Sequence, residues 1–191
     1  MQSIRLPAPI EMTMPLSQVL GRRRSRREFS TAPVDLPILS SVLWAGCGRT
    51  SADDRRTAPS ALNCREVECY VFDQKGVWRY DPEANALEAV REDDRRADTT
   101  VNQAFVAQAP VTILIAADLH KGKVLVGSRT GDICRSVDAG AVVQNMLLAC
   151  AAMGLAAVPR AQINAEAVLQ AVGKSAEELE PQMAVTIGFP A

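Results

Sequence analysis

The stretch Asp132 to Gly154, DICRSVDAGAVVQNMLLACAAMG, limits what this chain can fold into more than any other part of it. At the helical period the apolar residues of its second half fall on most sides of the cylinder. The segment therefore reads as a helix buried nearly all round, not as a surface helix with one apolar stripe. A chain of 191 residues has few elements with which to enclose such a helix. The pattern points to a second subunit packed against it.

A nearly unbroken apolar run, Ala109 to Ala117 (APVTILIAA), reads as a central strand covered on both faces. Ahead of it, Leu16 to Arg24 looks helical, and Asp35-Leu36-Pro37 opens a second helix carrying Leu39, Val42, Leu43 and Trp44 until Gly46 and Gly48 stop it. The polar segment Thr50 to Thr57 is expected to be a loop. Val67 to Phe72 and Val77 to Tyr80 read as strands, the second closed by the turn Asp81-Pro82-Glu83-Ala84-Asn85. A charged segment, Arg91 to Thr99, leads to a helix expected at Val101 to Ala107. After the long helix, Leu155 to Val158 and Met183 to Phe189 read as strands, and Asn164 as the N-cap of a helix reaching Val172. The mixed pattern has no repeats, and one domain is expected over residues 1–191.

Composition excludes several partners. The net charge is -1, with 23% charged residues, which gives no general attraction to nucleic acid or to an anionic membrane. No run approaches the roughly 20 apolar residues of a membrane span, and MQSIRLPAPIEM lacks the form of a signal peptide, so the expected location is cytoplasmic. The five cysteines, Cys47, Cys64, Cys69, Cys134 and Cys150, form no C-x-x-C pair and come with the single histidine His120. Reduced, mostly buried thiols are expected, and no metal site.

Against this neutral background RRRSRREFS, Arg22 to Ser30, holds five arginines in six positions. If the first helix continued, Leu16, Leu20, Arg23 and Arg27 would share one side at about 100° per residue, so an apolar stripe would run into two guanidinium groups. Arg26 would lie off that side. Two readings of the run are open. It is a solvated helix face that frays at Gly21, or it is a phosphate site, where a fork of arginines and a hydroxyl form charge-assisted hydrogen bonds. A nucleic-acid grip is weaker, since no aromatic residues interleave the charges.

This run resembles the opening motif of the FMN-dependent nitroreductase superfamily. Further similar segments follow in the same order: Pro59-Ser60-Ala61-Leu62-Asn63, Asn102-Gln103 ahead of Ala109-Pro110, Asp138-Ala139-Gly140 through Gln144-Asn145 to Gly154-Leu155, and Val158-Pro159. IRLPAP, PSALN and VWRYDPEANALE are most similar to the branch typified by SagB-type dehydrogenases. The resemblance spans nearly the whole chain. It implies an α+β fold with a central, mostly antiparallel sheet flanked by helices, and a homodimer with the long helix at its interface and FMN between the subunits.

The resemblance also implies roles for particular residues. Arg23, Arg24 and Ser25 match the phosphate and ribityl positions, and Arg27 matches the cation near N1 and the C2 carbonyl of the flavin, where a reduced ring gathers negative charge. Asn102, or Gln103 if the register differs by one, matches an amide at the pyrimidine edge, whose N3 donor and O4 acceptor a carboxamide complements. Pro59, Ser60, Ala61 and Asn63 match a loop lying against the flavin of the other subunit. At Pro159, Arg160 and Ala161 a backbone N–H is expected to face flavin N5, Ala161 by register and Arg160 next. The Arg160 side chain is expected to meet an acidic substrate or a nicotinamide phosphate, or to form a surface ion pair. Gln144 and Asn145 are expected to be buried and structural, and Cys64 to have no catalytic part.

Two departures bear on function. The chain ends Gly188-Phe189-Pro190-Ala191, without the basic pair that completes the phosphate site in many family members, and it has no Lys-Tyr dipeptide of the kind expected for azoline oxidation. The implied activity is NAD(P)H-dependent reduction of nitroaromatic, quinone or similar small acceptors by ping-pong hydride transfer through flavin N5. No catalytic acid or base side chain is expected. The alternatives are a SagB-type dehydrogenase of a peptide or small metabolite, and a flavin-binding module without turnover.

Overall fold

The structure, a computed structural model, describes residues 3–53 and 55–191. Its seven strands form one sheet: β1 (Ser3–Arg5), β2 (Val67–Phe72), β3 (Val77–Asp81), β4 (Ala86–Arg91), β5 (Val111–Asp118), β6 (Ala156–Arg160) and β7 (Leu179–Gly188). The order across the sheet is β1-β4-β3-β2-β5-β7-β6, and every neighbouring pair is antiparallel. The α+β sheet expected from the sequence is thus present. β1 and β4 were not expected. Both are stabilised by pairing more than by composition, β4 lying between β3 and the three-residue β1.

The five helices are α1 (Leu16–Arg22), α2 (Leu36–Cys47), α3 (Phe105–Gln108), α4 (Arg129–Ala152) and α5 (Ala165–Val172). Local chemistry sets several of their ends. Asp35 accepts from the Ile38 N–H at 3.0 Å, Ser128 from Gly131 at 3.1 Å and Asn164 from Ala167 at 3.2 Å, each satisfying a donor that the first helical turn leaves over. The helix expected at Val101 to Ala107 is only the short α3. The charged segment before it forms a 3-10 turn, Arg96–Thr99, in which Arg96 is buried with Nη1 on the Ala109 carbonyl at 2.6 Å.

The two sheet faces bury different cores. On one, Val71, Ile113, Ile115, Val185 and Ile187 pack with Leu39, Val42 and Leu43 of α2 and with Val142, Val143, Met146 and Cys150 of α4. On the other, Tyr70, Phe72, Leu114 and Ala116 pack with Val168, Ala171 and Val172 of α5. α4 is covered less than its sequence suggests. Ile133 and Val137 are 54% and 60% exposed, a Cβ on Gly140 would meet nothing within 4 Å, and Gln144, expected to be buried, is exposed. These residues follow one another at i, i+4, i+7 and i+11, so a single stripe of the helix lies open.

At the start of α4 the main chain passes so close to the preceding turn that a Cβ on Gly131 would sit 1.7 Å from the Leu125 carbonyl oxygen. The same oxygen accepts from Arg135 at 2.6 Å, so it cannot move aside without breaking that bond. Gly131→Ala is expected to destabilise the protein by about 2 kcal/mol or more, the cost of overpacking a fixed backbone, measurable as a lower urea midpoint.

Candidate active site: an arginine-lined cleft beside the edge strand

The end of α1 decides where the arginines go. The Arg23 N–H closes the helix on the Val19 carbonyl at 3.0 Å, and Arg23 itself turns extended, with φ -55° and ψ 121°. From there the chain runs beside β6. Ser25 pairs with Ala157 in a parallel bridge, the Arg26 N–H donates to the Ala157 carbonyl at 2.9 Å, and Phe29 pairs with Pro190. The expected helical stripe therefore does not exist. Leu16 and Leu20 are 64% and 53% exposed, and only Val19 of α1 is buried. The open edge of β6 offers the backbone partners that a frayed turn after Gly21 cannot match.

As a result Arg22, Arg23, Arg24 and Arg26 surround a cleft of about 220 Å³, lined as well by Leu147, Cys150 and Ala151 of α4 and by Ala157 of β6. Arg22 and Arg26 are the pair that local spacing could not place, and the separation of Arg26 from the others is lost. Ser25 and Arg27 are exposed and outside that lining. Among the described residues no carboxylate forms an ion pair with any of these five arginines. Arg24 alone turns to nearby carbonyls, those of Gly21 at 2.9 Å and Arg23 at 2.8 Å. The C-terminal ends of α1 and α4 each carry about half a negative charge and contribute about 1 kcal/mol at most toward a nearby cation. Four guanidinium groups exceed what those ends can neutralise; Arg22, Arg24 and Arg26 are exposed and Arg23 half-buried, so the remaining charge is open to water or to an anion.

Other expected residues come to the same edge. Phe29 stacks on Phe105 with centroids 6.1 Å apart, tying the arginine segment to α3. Just before α3, Asn102 is exposed, whereas Gln103 is half-buried and its Oε1 has no hydrogen-bond partner. A buried acceptor left without a donor costs about 1–3 kcal/mol, so a ligand N–H fits there, and of the two amides Gln103 is the better placed. The end of β6 adds Pro159, half-buried, and Ala161, exposed.

The Arg160 side chain needs correction. It is buried and faces neither a substrate nor a surface carboxylate. Nε donates to Thr186 Oγ1 at 3.0 Å, Nη1 to the Thr99 carbonyl at 2.9 Å and Nη2 to Thr99 Oγ1 at 3.1 Å. Alternation along β6 turns position 160 toward the α5 face of the sheet, where these threonines lie. Burial alone pulls its pKa down to about 10, which leaves it charged at neutral pH. It joins the segment carrying Asn102 and Gln103 to the edge strand.

The loop of residues 59–63 lies elsewhere in the chain. Pro59 and Ser60 border a separate cavity of about 340 Å³ with Cys47, Cys69, Glu68 and Lys121. The Ser60 hydroxyl is engaged within the chain, donating to Glu66 Oε2 at 3.0 Å, and the Ala61 N–H donates to Asp138 Oδ2 at 2.6 Å. Asn63 is exposed and its side-chain oxygen accepts from Arg65 at 3.1 Å. Asn145 is structural as expected, donating to the Thr57 carbonyl at 3.2 Å. All five cysteines are free thiols, and burial, with Glu66 and Asp138, pushes the Cys64 thiol up. No helix of the described residues is long and apolar enough to cross a membrane.

Residues 20–189 match the model of the nitroreductase family. A candidate nitroreductase of Methanocaldococcus jannaschii, MJ1384, is 32% identical over 152 residues, covering 75% of this chain and 76% of its own length. The crystal structure of a candidate nitroreductase from Ralstonia eutropha JMP134 superposes with a TM-score of 0.91 at 34% identity, over 99% of this chain and 90% of that one. Another, from Desulfovibrio desulfuricans and in complex with FMN, gives 0.70 at 26% identity, over 93% and 87%.

The planar fork of Arg160 spans two threonines at once, which an ammonium group cannot do. Arg160→Lys is expected to cost about 1–3 kcal/mol of stability, the price of leaving a buried carbonyl or hydroxyl unpaired, measurable by urea unfolding.

Proposed function

Because the chain belongs to the nitroreductase family, we propose that it is an FMN-dependent oxidoreductase whose arginine-lined cleft takes the phosphate of the flavin. The observation that carries this reading is the cluster of arginines without carboxylate partners, gathered on one cleft by the pairing of Ser25 and Arg26 with Ala157. FMN, when bound, would supply hydride transfer at N5, from NADH or NADPH to a nitroaromatic, quinone or similar small acceptor in ping-pong order.

The chain's own residues would hold and orient it. Arg23 and Arg24, with Arg22 and Arg26 beside them, would hold the phosphate. Ser25, exposed next to them, would add a hydroxyl donor, and Arg27 a cation where negative charge gathers on the ring. Gln103 Oε1, with Asn102 as the neighbouring amide, would accept from a ring N–H. Ala161 would present a backbone N–H, beside Pro159 and the anchored Arg160. No side chain is required to carry a proton.

A homodimer completes the reading. The open stripe of α4 is apolar at Ile133 and Val137 and small at Gly140, the composition that packs a helix against its own copy. The loop with Pro59, Ser60, Ala61 and Asn63 meets α4 at Asp138, while the cleft meets it at Leu147 to Ala151, roughly 14–20 Å along the helix. With that spacing the loop of one subunit would serve the flavin of the other. A cytoplasmic setting fits five free thiols and a nicotinamide donor.

Purified protein is expected to be yellow, to release FMN on denaturation, to bleach with NADH or NADPH without air, and to recover its colour with a nitro compound or quinone. A colourless protein that takes up no added FMN would overturn the reading. Arg23→Ala and Arg24→Ala are each expected to weaken FMN binding roughly ten- to hundredfold, the loss of one charge-assisted contact of about 1.5–3 kcal/mol, read by fluorescence titration. Val137→Asp is expected to shift the protein to a monomer by light scattering and to lower its flavin content in step.

A further inference from the structure

The backbone of residues 59–65 takes a shape that its own side chains do not favour. Leu62 and Arg65 have φ of 51° and 53°, the left-handed region where such residues cost about 1 kcal/mol or more; Asn63, at 55°, is of a type that tolerates it. Leu62 is 76% exposed, so no packing of its own holds it there. Two buried carboxyl groups do. Asp138 on α4 accepts from the Ala61 N–H, and Ser60 Oγ accepts from the Arg65 N–H at 2.8 Å while donating to Glu66 Oε2. Glu66 lies just before β2, fully buried, its main-chain carbonyl accepting from the Asp118 N–H at 2.7 Å.

The hydrogen-bond count around Glu66 does not close with both groups ionised. The single Ser60 proton goes to Oε2. Oε1 is buried without a donor, and the Asp138 carboxyl is close by, since the two groups hold the adjacent residues Ser60 and Ala61. Two adjacent buried carboxylates repel unless a cation or a proton lies between them. Lys121 is engaged with Glu68 and Asp118, and Arg135 with Asp132 and Glu180. The Cys64 and Cys134 thiols nearby bring no positive charge.

We propose that one proton, carried on Glu66 Oε1 and donated to Asp138, joins the two carboxyl groups, and that the joined pair positions the loop of residues 59–65. It satisfies the orphaned oxygen, removes the repulsion and leaves Asp138 Oδ2 to hold Ala61. Its consequence for flavin binding, through Ser60 and Ala61 against the partner's cofactor, rests on the function proposed above. Burial first, and then Asp138, raises the Glu66 pKa above its ordinary 4.5, against the lowering effect of its hydrogen bonds to the backbone and Ser60. The folded state thus holds this proton more tightly than the unfolded one. The stabilisation is full below the ordinary carboxylate range and is lost as pH rises through the raised value.

The purified full-length protein provides the test. Wild type is expected to lose thermal stability as pH rises above the ordinary carboxylate range and to show, at mildly acidic pH, the infrared C=O band of a protonated carboxyl that fades over the same rise. Glu66→Gln keeps a donor toward Asp138 and an acceptor for Ser60 without titrating. It is expected to lose the band and that share of the pH dependence, and to be the more stable protein at the alkaline end. If the band persists in Glu66→Gln, or its pH profile runs parallel to wild type, the pair is overturned. Should that variant not fold, Asp138→Asn, which can donate to an ionised Glu66 and still accept from Ala61, is expected to lower the pH at which both signals fade, and an unchanged midpoint would be equally decisive. These readouts need no cofactor. With FMN as probe, wild-type affinity is expected to fall relative to that of Glu66→Gln by up to about tenfold per pH unit above the pair's pKa, the slope common to both being that of the FMN phosphate. Identical pH profiles of FMN affinity in the two proteins would overturn the positioning role, whereas a protein with the band that binds no FMN would sink the flavin reading and leave the pair standing.

Discussion

The burial of α4 against the sheet is the constraint on which the rest of the molecule depends. Ala139, Val142, Val143, Met146, Leu147 and Cys150 all enter the larger core, and the bulkier of them contribute about 1.5–3 kcal/mol each by leaving water. α2 approaches this helix closely because Gly46 has no side chain where Met146 passes: a Cβ there would stand 2.5 Å from the methionine's terminal methyl. With one flank against the sheet and another against α2, α4 becomes a rigid rail. The arginine cleft is attached near its C-terminal end and the loop of residues 59–65 near its middle.

The two attachments have opposite electrostatics. At the cleft, several guanidinium groups gather without a carboxylate among the described residues. At the loop, two buried carboxyl groups meet, and the nearby cations are bonded to other partners. The carboxyl groups are buried, where isolated charge is costly, whereas the arginines are largely open to solvent and their charges can be met from outside the chain. In the proposed reading an anion would answer the charge at the cleft, and a proton that at the loop. Because both are fixed to one helix, what happens at the loop bears on how a second copy of the chain would meet the cleft.

Much of the fold was legible from local pattern. The apolar run at Ala109 to Ala117, the caps Asp35 and Asn164, and the strand at Val67 to Phe72 all lie where spacing and turn chemistry placed them. β1 and β4 were not legible, since a three-residue strand and the run ALEAVR are stabilised by neighbours distant in sequence. The candidate site was legible in its residue types but not in their arrangement. The arginine run was readable as either a solvated face or an anion site. That its helix ends at Arg22, and that Arg26 therefore belongs with Arg23 and Arg24, depends on backbone bonds to Ala157, more than a hundred residues away. Arg160 reads as a surface charge from composition, yet strand alternation and two threonines draw it inside.

By itself, the sequence determined the elements whose stability is local: helices with caps, strands with continuous apolar runs, and the ordered motifs that mark the family. It also determined that an unusual density of positive charge must meet an anion or water. Only the tertiary structure decided which arginines share a cleft, which amide oxygen is left without a donor, and that Glu66 and Asp138 meet beneath a strained loop. The reason is physical. Periodicity and capping act over a few residues, whereas burial, charge pairing and the sharing of a proton depend on which distant groups the folded chain brings within hydrogen-bond reach.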